Sequence, residues 1–233
     1  MTIRTYKMLG FFLAYPEAEL QKYYGEMITV LREEKILAPV QIDAVEKLAT
    51  YLTTQDLLEI QEEYVALFDR TPSLSLHLFE HVHGDSRERG QAMVDLQSLY
   101  LEEGLEIDAR ETPDYLPMFL EYLTVLPFEE GQQCLAEVIN VLMVLRKRLE
   151  KRDSLYGAIF DALKGLSQAK PDMKIIDQAL QEADGQETSQ QEMDDAWEEQ
   201  FAFDQGVAAG SGCPLAQGAV DQMLSDIPAK EAK

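Results

Sequence analysis

The sequence predicts an all-α fold: a single compact multi-helix bundle. Three observations carry that expectation. Apolar residues recur at helical spacing through most of the first 184 residues, strand-like alternation is nearly absent, and Gly, Pro, Thr and Asp punctuate the periodic segments where helices start and stop. With 233 residues, 46% of them hydrophobic, the chain is long enough to bury a full core.

The elements follow in order. Ile3, Tyr6, Leu9 and Leu13 make one helical stripe. Arg4 and Lys7 precede the apolar run from Met8 to Tyr15, a length that suits a short export signal. No small-residue cleavage site follows, and Pro16, Glu17 and Glu19 come next, so the segment reads as a first core helix. Pro39 suits a first helical turn, and Thr53 or Thr54 is placed to cap a helix carrying Leu57, Ile60, Tyr64 and Leu67 on one face. Gly84 is suited to ending a helix, and Asp85 with Glu88 three residues on resembles a capping box opening the next. Met93, Leu96, Leu99 and Tyr100 continue that helix to a stop at Gly104.

Thr112 and Pro113 suit a further helix start, although Pro117 would clash with a regular turn beneath it and moves the expected start toward itself. Leu135, Val138, Ile139, Leu142 and Leu149 mark one long helix. Arg146, Lys147, Arg148, Lys151 and Arg152 close it and complement its C-terminal dipole. Leu155, Ile159, Phe160, Leu163 and Leu166 give another, and a last helix is expected from Asp172 to about Ala183.

Beyond residue 184 the composition changes. Residues 175–229 hold twelve Asp or Glu and no Lys or Arg, and Gly, Ser, Gln and Ala become frequent. Such a segment buries too little apolar surface to offset its chain entropy, so residues 1–184 are expected to form the helical domain and 185–233 an acidic, largely disordered tail. Trp197, Phe201 and Phe203, flanked by Glu198 and Glu199, form an aromatic island near 194–204 that suits a short helix docking on this chain or on a partner.

Charge and cysteine use narrow the function. A net charge of −23 argues against a nucleic-acid backbone as ligand and favours basic partners. Two cysteines, Cys134 and Cys213, make neither a disulfide framework nor a Cys-rich metal site, which fits a reducing compartment. No run approaches the roughly 18 to 20 apolar residues of a membrane span. Phosphate-binding loops, dinucleotide turns and nucleophile elbows are all lacking.

All three histidines lie between residues 77 and 83. His77, Glu80 and His81 match the H-x-x-E-H pattern of inverted zinc peptidases, in which two histidines share a helix face and the Glu is general base. A hydrolytic site needs a third ligand, and no later constellation offers one. The other reading is a polar hinge between two helices built from Glu80, His81, His83, Asp85, Arg87 and Arg89. There the arginines sit in a first turn that disfavours positive charge unless a carboxylate or ligand compensates.

The run from Leu74 through Leu96, then Arg110-Glu111-Thr112-Pro113-Asp114-Tyr115-Leu116-Pro117 and Phe119-Leu120-Glu121-Tyr122-Leu123, closely resembles the NarJ family, the assembly chaperones of membrane-bound respiratory nitrate reductase, also called its delta subunit. The likeness reaches back to Tyr64, Phe68 and Asp69 and covers most of residues 1–200. His77 stands where that family commonly has Leu, and Tyr115 where the wider family of redox-enzyme chaperones often has His. The resemblance implies the helical bundle of redox-enzyme chaperones and a cytoplasmic, non-catalytic protein. Its partner would be the basic N-terminal segment of the apo alpha subunit of nitrate reductase, held ready for molybdenum cofactor insertion before membrane attachment. No cofactor would be bound permanently, and contact with the client's molybdenum cofactor would be at most transient; nucleic acid and stable membrane insertion are not expected.

A client groove is expected between the helix opening at Asp85 and the segment from Glu111 to Phe119. Glu111 and Asp114 would supply charge, while Tyr115, Phe119 and Tyr122 would supply contact area unless they belong to the core. A zinc hydrolase on His77, Glu80 and His81, and an acidic adaptor working through the tail, are the rival readings.

Overall fold

A computed structural model describes residues 3–83, 87–107 and 111–181. Gly84, Asp85, Arg110 and everything from residue 182 onward, including the expected acidic tail and its aromatic island, lie outside the described residues. Among the described residues the fold is helical, with one isolated antiparallel bridge between His77 and Tyr115.

The helices are α1 (Thr5–Leu13), α2 (Ala18–Gln21), α3 (Tyr24–Glu34), α4 (Pro39–Thr54), α5 (Leu57–Tyr64), α6 (Glu80–His83), α7 (Arg87–Glu102), α8 (Leu116–Val125), α9 (Phe128–Glu137), α10 (Ile139–Lys151), α11 (Gly157–Leu166) and α12, residues 173–181. Helix α1 is the centre of the packing. Its stripe of Tyr6, Leu9, Phe12 and Leu13 is buried and meets α8, α3 and α11. The approach of α1 to α8 is close because residue 10 has no side chain. A Cβ on Gly10 would lie 3.2 Å from the Pro117 carbonyl oxygen. Helices α3 and α4 pair, and α11 packs against both α4 and α10, which closes the core.

Local chemistry explains most boundaries and corrects some expectations. The cap of α5 is Asp56, whose carboxylate accepts from the Leu58 amide at 2.9 Å; Thr53 and Thr54 instead donate back into their own helix, to Ala49 and Thr50. Helix α8 starts at Leu116 with Pro117 in its first turn, where a missing N–H costs nothing, and Thr112 closes the preceding turn by accepting from Tyr115. At the end of α7, Gly104 has a φ of +78°. The Gly104 and Leu105 amides bond back to Leu101 and Tyr100, a paired left-handed stop.

The expected single helix through Leu135 and Leu149 is two, α9 and α10, broken at Val138, which has left helical dihedrals at φ −99° and ψ 2°. The basic run at its end does more than complement a dipole. Arg148 is 7% exposed and donates to the Ser73 carbonyl at 2.5 Å and the Ala179 carbonyl at 3.3 Å, tying α10 to the 72–74 turn and to α12.

Candidate functional site

The conspicuous architecture lies where residues 74–83 meet residues 111–116. Tyr64 ends α5 and the next turn widens to π geometry over Val65–Asp69, with the Arg70 amide bonding to the Val65 carbonyl at 2.9 Å. That turn brings Leu74, Leu76 and Leu78 into the core and leaves the backbone extended at His77. The Leu78 amide donates to the Asp114 carbonyl at 3.0 Å and the Leu116 amide to the Leu76 carbonyl at 2.9 Å, so the two segments are clamped side by side.

Asp114 is the centre of this clamp and is fully buried. Its Oδ1 accepts from Thr112 Oγ1 at 2.5 Å and its Oδ2 from the Phe79 amide at 3.0 Å. With its proton committed to Asp114, the Thr112 hydroxyl accepts from His77 Nδ1 at 2.9 Å. Burial alone would raise the Asp114 pKa, but the bonds from His77, Thr112 and Phe79 outweigh it and hold the carboxyl below its ordinary value. His77 is correspondingly raised, chiefly by its link to Asp114, against the cost of burial. Asp114 therefore offers no charge to a peptide; the expectation that it would is corrected by this burial.

Tyrosines fasten the rest. The Tyr100 hydroxyl of α7 donates to the Pro113 carbonyl at 2.8 Å, and its ring lies 4.8 Å from that of Tyr122. Tyr115 is half-buried, with its hydroxyl 3.2 Å from that of Tyr64, which in turn donates to the Leu13 carbonyl at 2.8 Å. Burial pushes the Tyr115 hydroxyl up to about 12, so it stays protonated at neutral pH. Phe119 and Tyr122, each 6% exposed, are core side chains rather than contact area for a client. Of the five residues expected to meet a client, Glu111 is exposed and Tyr115 half-exposed.

The hinge cluster is brought together in part. Arg89 donates to Glu80 at 3.2 Å, joining α6 to α7. His81 is mostly buried and donates from Nε2 to the Ser75 carbonyl at 2.8 Å, and burial lowers its pKa. Asp85 and the side chains of His83 and Arg87 lie outside the described residues. The zinc reading loses its geometric premise. His77 sits in the bridge, α6 begins only at Glu80, and each imidazole is turned to a different partner. Among the described residues no three His, Cys, Asp or Glu side chains are grouped to hold a metal ion.

Beside the clamp, α7 is left largely uncovered. Tyr100 is its one fully buried side chain among those described; Met93 and Leu96 are half-buried, and Val94, Leu99 and Leu101 are 55%, 46% and 55% exposed. Val94 and Leu101, seven residues apart, share one edge of the helix. Asp95 and Glu102 of the same helix, Glu103 and Glu106 just beyond it, and Glu111 are exposed. Helical spacing groups Leu99 with the core positions Met93, Leu96 and Tyr100 and leaves Val94 and Leu101 outside that group. The signal was there, because apolar positions at 93, 94, 96, 99, 100 and 101 span an arc wider than one neighbouring helix covers.

The helical fold is that of a solved protein described as a redox enzyme maturation protein from Archaeoglobus fulgidus, on which the structure superposes with a TM-score of 0.52, at 19% identity, covering 70% of this chain and 92% of that one. The family model for the nitrate reductase delta subunit matches residues 38–162, and the chain belongs to that family. It is 40% identical over 198 residues to the nitrate reductase molybdenum cofactor assembly chaperone NarJ of Escherichia coli K12, covering 83% of each chain. It is 37% identical over 214 residues to NarW of the same strain, covering 91% of this chain and 89% of that relative. A NarJ from Bacillus subtilis is 27% identical over 162 residues.

Proposed function

We propose that this chain is a molybdenum cofactor assembly chaperone for nitrate reductase. It holds the basic N-terminal segment of the apo alpha subunit, keeps that subunit open for cofactor insertion, and delays its attachment to the membrane. The work is binding in the cytoplasm, without bond-breaking, and the molybdenum cofactor is the client's cargo. No described helix is long and apolar enough to cross a membrane, which suits that role. Residues 1–184 are the client-binding domain and 185–233 an acidic appendage.

One observation carries the reading: Val94 and Leu101 stand exposed on one edge of α7, a helix that also exposes the carboxylates of Asp95 and Glu102 and is tied through Tyr100 to the segment that follows Glu111. An amphipathic cationic helix supplies what that surface lacks, apolar side chains for that edge and positive charge for the carboxylates. The rigid clamp below sets the position of Glu111 without spending the buried Asp114 on the client. Relatives named as nitrate reductase assembly chaperones support the choice of client.

The test is co-purification. A tagged chain expressed with the alpha subunit in cells unable to make the cofactor is expected to retain the apo subunit, and to lose it when the subunit's N-terminal segment is removed. Retention that ignores both the segment and the cofactor would contradict the reading.

A further inference from the structure

Charge changes sign along α7. The first turn, Arg87-Glu88-Arg89-Gly90, carries two arginines, and Arg89 is already held by Glu80 at 3.2 Å. The last turn has no basic residue and ends on Glu102, with Glu103 next and Glu106 shortly after. Carboxylates at that end add to the negative pole of the helix dipole, where Lys or Arg would offset it. The neighbouring sequence does not supply the missing cations. Residues 90–145 hold eleven Asp or Glu against a single Lys or Arg, Arg110. Glu102, Glu103, Glu106 and Glu111 are exposed, and none of them is in an ion pair among the described residues. The bond from Tyr100 to the Pro113 carbonyl, at 2.8 Å, joins the segment that follows Glu111 to this same acidic end.

The uncovered apolar edge runs toward it. Val94 and Leu101, each 55% exposed, are seven residues apart, about 10 Å along the axis. A helix laid on that edge meets both side chains, and each of its ends meets a different charge on α7. An N-terminal segment folded as a helix is positive at its first residues, through its α-amino group and the positive pole of its own dipole. One direction sets that charge against Glu102, Glu103 and Glu106. The other sets it against the arginines of the first turn.

We propose that the client's N-terminal segment lies on α7 as a helix running antiparallel to it, with its first residues at Glu102, Glu103 and Glu111 and its later ones toward Gly90. This direction rests on the proposed function for its client. It also makes the surface selective for a true chain terminus, since an internal basic helix of the same composition has no α-ammonium to offer.

Two exposed glycines bracket α7 and report the direction. Gly90 and Gly104 lie about 20 Å apart along the helix. In the nitrogen-15-labelled full-length chain, with a synthetic peptide of the alpha subunit's N-terminus bound, a nitroxide near the peptide's first residue is expected to broaden the Gly104 amide several-fold more than that of Gly90. A nitroxide near the last residue should do the reverse. Acetylating the peptide's amino group should weaken binding to the parent about threefold and leave binding to Glu102→Gln with Glu103→Gln unchanged. That double variant should bind the free-amino peptide roughly three- to tenfold more weakly than the parent. Its melting should not fall, because it removes charge from the negative pole of α7, and this separates lost recognition from lost structure. Equal or inverted broadening with the peptide bound, or an acetylation penalty that persists in the double variant, would overturn the direction and leave the chaperone assignment standing. A peptide that does not bind the parent at all would overturn both.

Discussion

The Asp114 carboxylate and the His77 imidazole face each other directly, with His77 Nδ1 3.5 Å from Asp114 Oδ1, and share one hydroxyl: Thr112 Oγ1 lies 2.5 Å from Asp114 Oδ1 and 2.9 Å from His77 Nδ1. The link fastens the segment leading into α6 to the segment leading into α8, at the foot of the surface assigned to the client.

Asp114→Ala is expected to destabilise the fold by about 2–4 kcal/mol, because the Phe79 amide and the Thr112 hydroxyl lose a buried charged acceptor. For a domain of this size that is a fall in melting temperature of roughly 5–15 °C. Asp114→Asn, which keeps one acceptor oxygen, should cost less. Thermal melts of the two variants check this; equal melting for Asp114→Ala and the parent would show that the carboxylate holds nothing.

The pH dependence follows from the directions of the shifts. His77 is raised above 6.5, so its contribution is fully present below that pH and is lost as pH rises through the higher folded value. Asp114 is lowered below 3.8, so its contribution is present above that pH and is lost as pH falls through the folded value. His81 is lowered below 6.5 and works against His77, costing stability as pH falls from 6.5 toward its folded value. The stability gap between the parent and His77→Leu should therefore be larger below pH 6.5 than in alkaline solution. Urea unfolding across that range measures it, and a gap independent of pH would dissociate His77 from Asp114.

Arg148→Met retains the buried apolar stem but leaves the Ser73 and Ala179 carbonyls without this donor. Each loss costs on the order of 1–3 kcal/mol, and the second should loosen α12 selectively. Faster hydrogen exchange over residues 173–181 than over α1 is the expected signature.

Gly10→Val should separate α1 from α8, since even a Cβ lies 3.2 Å from the Pro117 carbonyl and that backbone oxygen has little room to retreat. Overpacking of this kind costs about 1–3 kcal/mol, readable as a lowered denaturation midpoint.

Much of the fold was legible because helical burial leaves a periodic trace. The stripe through Tyr6, Leu9 and Leu13 marked α1, and Gly104 marked the end of α7 by a conformation that glycine adopts without strain. The break at Val138 left no such trace, because apolar residues continue through it and no Gly or Pro stands there. Asp114 misled for a related reason. A carboxylate in a Pro-rich segment reads as solvated, and its acceptors' partners, the Phe79 amide and His77 thirty-seven residues upstream by way of Thr112, become neighbours only through tertiary contact. The exposed edge of α7 was hidden in the opposite sense, since apolar spacing alone does not tell a covered face from an uncovered one.

The central claim is that α7 and the adjoining Glu111 segment receive a cationic leader. Titration calorimetry of a synthetic peptide matching the alpha subunit's N-terminus, against the parent and against Val94→Ser with Leu101→Ser, tests it most directly. Both substituted side chains are 55% exposed, so melting should be nearly unchanged. The expected result is binding that weakens with salt and falls about tenfold or more in the double variant, a loss near 1.4 kcal/mol. Equal affinity for parent and variant, at any salt concentration, would contradict the claim.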